Sequence, residues 1–118
     1  MSKRILSVSY DVSLLARRKM LLEQRGYEVT SALGFTQAAA HCRNAGFDLF
    51  ILGHSLPISD KTELMRAFRD SCSAPILSLE RRGEEVVPSD FHASPDDPEK
   101  FLEVIDDIFA GKKLRPRQ

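Results

Sequence analysis

The sequence predicts an α/β domain, a parallel sheet covered by helices on both faces. Short apolar or β-branched runs alternate with segments of helical period along the whole chain, and right-handed crossovers leave few topologies other than a parallel sheet for such alternation. The run Phe47–Leu52 in FDLFILGHSLPISDKTEL rises as a buried strand, stops at Gly53-His54-Ser55, turns at a proline and re-enters helical spacing. At 118 residues, with 42% hydrophobic and 29% charged side chains, the chain suits one globular domain with an ordinary core.

The elements follow in order. Ile5–Val8 is a first strand. Leu14, Leu15, Leu21 and Leu22 then mark a helix, with Asp11 or Ser13 as cap and Gly26 at its end. YEVTSA is the second strand. A helix is expected over Gln37–Asn44, capped by Thr36 and stopped by Gly46, and the third strand over Leu49–Leu52. Asp60 and Glu63 have the spacing of a capping box, and Leu64, Ala67 and Phe68 give the third helix its apolar stripe. APILSL and the shorter DFHA are strands four and five. Asp97-Pro98-Glu99 opens a last helix whose Phe101, Leu102, Ile105, Ile108 and Phe109 share one face before Gly111. In such a sheet, ligands gather outside the carboxyl ends of the strands, which directs attention to Ser9, Tyr10, Asp11, Gly53, His54, Ser78 and Ser94.

Formal charge is zero, but four of the 17 basic residues fall in KKLRPRQ. Residues 1–111 hold 13 basic groups against 17 acidic, a net of −4, so nucleic acid is not expected as a partner, with the tail alone suited to phosphate contacts. A single domain over 1–111 and a basic, disordered tail over 112–118 are the expected organisation. Cys42 and Cys72 lack the spacing of a metal or redox pair, and no run is long enough to cross a bilayer; a soluble, cytoplasmic protein is the default.

RILSVSYD, LLEQRGYEV, FDLFILGHSLPISDKTEL, APILSL and HASPDD together resemble the receiver domain of two-component response regulators, the CheY-like family, over residues 3–111. The resemblance implies a flavodoxin-like sheet in the order 2-1-3-4-5 and a bacterial phosphorelay in which a histidine kinase phosphorylates one aspartate. It also implies Mg²⁺ on that aspartate and on an acidic pair after the first strand, a hydroxyl after strand four and a lysine after strand five. Mapped onto this chain, the acceptor falls on Gly53, the acidic pair on Ser9 and Tyr10, and the lysine on Ser94. Ser78 keeps the hydroxyl. Asp11 alone is a thin Mg²⁺ site, so no metal and no cofactor are expected.

A shortened or missing fourth helix is expected as well, because LERRGEEVVPSD is short and lacks apolar period. Its loss would uncover Val86, Val87 and Phe91 as partner contacts.

Bland roles compete with functional ones throughout. Asp11 serves as a helix cap, His54 as a polar residue at a loop start, and Ser78 as a local hydrogen-bonding group. The Tyr10 ring is a candidate to fill the emptied acidic pocket. Arg17, Arg18 and Arg25 are expected to face the acidic last helix. No nucleophile–base pair or phosphate-binding glycine loop suggests an enzyme. The expected function is a pseudo-receiver that recognises a protein partner or itself without phosphorylation. The alternative is a receiver still phosphorylated on another side chain such as His54. The sequence names no small-molecule ligand.

Overall fold

The computed structural model describes residues 2–42 and 46–111. The basic tail and the expected end of the second helix at Asn44 lie outside the described residues. Nine elements alternate: β1 (Arg4–Ser9), α1 (Val12–Gln24), β2 (Glu28–Leu33), α2 (Gly34–His41), β3 (Leu49–Leu52), α3 (Ile58–Ser71), β4 (Ile76–Leu79), β5 (Phe91–Ala93) and α4 (Pro98–Phe109). The five strands form one parallel sheet in the order β2-β1-β3-β4-β5. This is the order implied by the family resemblance.

Side chains of a strand alternate between faces, and the core divides accordingly. Leu6, Val8, Phe50, Leu52 and Ile76 pack against α2 and α3, where Phe50 stacks on Phe68 with ring centroids 4.1 Å apart. Ile5, Leu49, Ile51, Leu77 and Leu79 pack on the other side against Leu22 of α1 and Phe101 and Ile105 of α4. Every residue of β3 and β4 is buried, as expected of inner parallel strands covered on both faces.

Asp11 and Asp97 cap α1 and α4 as the sequence predicts, accepting from the amides of Leu14 and Lys100. Two other caps differ. Helix α2 begins at Gly34 rather than after Thr36, because Gly34 takes φ +81° and turns the chain directly out of β2. The Gln37 side chain reaches back to accept from Leu33 N at 2.8 Å, so no threonine cap is needed. Helix α3 starts at Ile58 behind Pro57, and the expected Asp60–Glu63 capping box does not form. Asp60 lies in the first turn and accepts instead from the Tyr10 hydroxyl at 2.7 Å.

Between β4 and β5 the described chain makes turns and no helix, in agreement with the expected loss of the fourth helix. The loop is nevertheless strapped down. Arg69 of α3 donates to Pro88 O at 2.9 Å, and the Asp90 carboxylate accepts from Ile76 N at 2.8 Å. These ties seat Val87 in the α3-side core at 3% exposure. The expectation that Val87 is an open partner contact is therefore corrected: the loop plugs the gap that a missing helix would leave. Phe91 is half-buried against the opposite core, and of the three only Val86, at 62%, is free surface.

Candidate functional site at the carboxyl edge of the sheet

The register aligns Val8, Leu52, Ser78 and His92 in one row across the sheet, with Ser9 and Gly53 just beyond. The loops after β1 and β3 are tied by hydroxyls. Ser9 Oγ lies 3.0 Å from Ser55 Oγ, Tyr10 N donates to Ser55 Oγ at 3.0 Å, and Asp11 N donates to Ser9 Oγ at 3.0 Å. Tyr10 does not fill the acidic pocket. Its ring is half exposed and crosses Gly34, where a Cβ would stand 2.5 Å from the ring, and its hydroxyl is held by Asp60.

The pocket is filled from α1. Strand alternation sends position 53 to the same face as Ile51, toward α1. A Cβ on Gly53 would lie 3.1 Å from Arg18 Nη1, 3.3 Å from Ser9 Cβ and 2.8 Å from the Val8 carbonyl oxygen. Arg18 is only 5% exposed, and neither of its terminal nitrogens has a hydrogen-bond partner among the described residues. Burial pushes its pKa down from the ordinary arginine value, against the opposing pull of Asp11. Arg18 thus makes no ion pair with the acids of α4, although it and Arg17 lie beside Pro98 and Phe101 at the start of that helix. Of the three arginines, Arg25 forms the expected kind of pair, with Asp106.

A second buried cation comes from α3. Lys61, 2% exposed, donates to Ser78 Oγ at 3.0 Å and to Leu79 O at 2.9 Å, with Glu80 Oε2 at 3.8 Å. Ser78 Oγ in turn donates to Glu80 Oε2 at 3.0 Å, and the other oxygen of Glu80 meets His92 Nδ1. Burial lowers the Lys61 pKa, and Glu80 pulls it back up. Ser78 is therefore held between a lysine and a carboxylate. Ser94 only accepts from Asp96 N at 3.1 Å in a local turn.

His54 is half-buried, with Nδ1 shielded and unpartnered. Burial first, then the fields of Arg81 and Arg18, lower its pKa, while Glu84 and Asp96 act the other way. The expected set Ser9, Tyr10, Asp11, Gly53, His54, Ser78 and Ser94 does gather at this edge of the sheet. Arg18, Ser55, Lys61 and Glu80 are the residues that sequence reasoning missed.

The Mg²⁺ implied by the family does not fit these residues. The positions that would supply its carboxylates are Ser9, Tyr10 and Gly53, and a guanidinium stands where the cation's ligands would converge. Among the described residues no group of three or more His, Cys, Asp or Glu could hold a metal ion.

Comparison with known proteins agrees with this architecture. A CheY-like receiver domain from Methanospirillum hungatei JF-1 superposes with a TM-score of 0.80 at 26% identity, covering 94% of this chain and 96% of that one. A two-component response regulator from Clostridium difficile gives 0.78 at 18% identity over 93% and 97%, a likeness of fold alone. The transcriptional regulatory protein ResD of Bacillus subtilis is 30% identical over 82 residues, which span 70% of this chain and 34% of ResD. The chain thus spans about a third of the length of that curated relative. No family model matches the chain. By fold and by these likenesses, the chain has the CheY-like, flavodoxin-like architecture and is similar to response-regulator receiver domains. Among the described residues no helix is long and apolar enough to cross a membrane.

Proposed function

We propose that this domain acts in two-component signalling as a phosphorylation-independent protein–protein interaction module, a pseudo-receiver and not an enzyme. The observation that carries the reading is Arg18, whose Nη1 stands 3.1 Å from the point where the acceptor side chain would begin. A receiver that takes a phosphoryl group needs a nucleophilic carboxylate and a metal to spread the developing charge. Here position 53 offers no carboxylate, the neighbouring residues offer no metal-binding set, and a buried guanidinium occupies the space. The five-stranded sheet and the other four helices are kept around it, which favours recognition as the retained role. The partner is another signalling protein or a second copy of the chain. A cytoplasmic setting fits the two free cysteines, Cys42 and Cys72.

The test is incubation with a small-molecule phosphodonor and Mg²⁺, read by intact mass, alongside amide spectra recorded with beryllofluoride. No added phosphoryl mass and no shift at Gly53 or Ser78 are expected. Phosphate found on His54 would establish the alternative of a receiver with a different acceptor.

A further inference from the structure

The Arg18 guanidinium is the least satisfied polar group at the carboxyl edge. It is buried, its two terminal nitrogens lack partners among the described residues, and Asp11 acts on it only through its field. An uncompensated buried charge is costly, and the fork of a guanidinium matches the two oxygens of a carboxylate.

Arg18 also forms part of the wall of a cleft of about 160 Å³ between α1 and the first turn of α4 with the loop that precedes it. Leu14, Leu21, Pro95, Pro98 and Phe101 make its apolar walls, and Arg17 adds a second cation. The one acid lining it, Asp96, is held by both Nε and Nη2 of Arg81, at 2.9 and 3.0 Å, and this pairing keeps its pKa below the usual carboxylate range. The cleft therefore offers the Arg17 cation, the side chain of Arg18 whose guanidinium lies inward over Gly53, one ion-paired acid and an apolar lining. A space of this size equals roughly five waters, enough for a small organic acid.

We propose that this cleft binds a small organic monocarboxylate, whose head pairs with Arg18 and whose short apolar body lies against Leu14, Leu21 and Phe101. Binding requires the guanidinium to turn from Gly53 toward the cleft. The ligand would thus be sensed at the position where the family takes its phosphoryl group. The inference does not depend on whether the chain can be phosphorylated.

Titration of the full chain with benzoate, butyrate, acetate and inorganic phosphate, followed by amide spectra and calorimetry, tests it. Benzoate or butyrate should give saturable shifts at Gly53, Asp96 and Asp97, with at least about tenfold tighter binding than acetate, since each buried methylene contributes about 0.8 kcal/mol. Arg18→Met, which removes a buried charge and should fold at least as well, is expected to weaken binding at least tenfold. Arg18→Lys keeps the charge without the fork and should fall between the two. Absence of saturable shifts in the wild-type chain, or equal affinity in Arg18→Met, would overturn the proposal. Phosphate binding as tightly as benzoate would overturn the assignment of an organic ligand.

Discussion

Gly53→Asp puts a carboxylate back where the family keeps its acceptor, and the geometry sets its consequences. The new Cβ would meet the Val8 carbonyl oxygen at 2.8 Å, a backbone atom that cannot move cheaply, so overpacking costs about 1–3 kcal/mol. Against this, the carboxylate would extend toward Arg18, whose Nη1 is 3.1 Å from that Cβ. Opposite charges about 4 Å apart attract by about 4 kcal/mol at an effective dielectric constant of 20, and desolvating the carboxylate returns part of that. The two effects nearly cancel. The single variant should be within about 1 kcal/mol of wild type. In an Arg18→Met background the same substitution buries a carboxylate without its partner and should cost about 3 kcal/mol or more.

A double-mutant cycle by urea denaturation at pH 7 therefore has an expected coupling of about 2–4 kcal/mol between positions 18 and 53. Phosphorylation should remain absent in the single variant, because the introduced carboxylate is paired with the guanidinium. A coupling below about 0.5 kcal/mol would refute the placement of Arg18 over Gly53, and phosphorylation at a rate typical of receivers would refute the reading of the pocket as closed.

Three further outcomes are expected. Lys61→Met strips the buried Glu80 carboxylate of its cation and should destabilise the fold by about 2–4 kcal/mol in urea denaturation; a neutral result would mean that Glu80 is adequately served by Ser78 and His92. Val87→Glu should cost about 3 kcal/mol or more by burying a charge, whereas Val86→Glu on the surface should stay within about 0.5 kcal/mol; equal effects would show that the loop is not packed as described. Burial, reinforced by Asp106, pushes the Tyr27 phenol up to about 12, so its contribution to stability is full below the unfolded value near 10 and is lost as pH climbs toward 12. Solvent around the ring holds that contribution to about 1 kcal/mol, and Tyr27→Phe should remove this part of the alkaline slope in denaturation curves at pH 9–12.

The strands and the missing fourth helix were legible because they rest on apolar runs, or the lack of one, which the core enforces; the order of the strands came from the family resemblance alone. The two cations were missed for a single reason. Leu15, Arg18 and Leu22 are the buried positions of α1, and Lys61, Leu64, Met65 and Phe68 those of α3. In each case a basic residue sits at i, i+3, i+4 or i+7 spacing on the apolar stripe, where a charge is expensive. That spacing is visible in the sequence. Reading charged residues as solvated by default hid it. Val87 was misjudged for the opposite reason: its burial depends on ties from Arg69 and Asp90, which no local pattern encodes.

Arg18 and Lys61 approach the carboxyl edge from opposite faces of the sheet, one standing over Gly53 and the other holding the Ser78 hydroxyl inside β4. In the family's scheme the hydroxyl after strand four answers to a phosphate. Here Ser78 answers to α3 through Lys61 and to β5 through Glu80 and His92. Gly53 carries no side chain to reach Ser78, whereas displacement of α3 pulls through Lys61 on Ser78, Leu79 and Glu80 together. A partner that moved α3 would therefore act on β4 and β5 as well. Neutralisation of Arg18 by an anion would act on the separate α1 face. Two inputs on two faces of one sheet would meet at its inner strands, among them β3 and β4, whose residues are buried and packed on both sides.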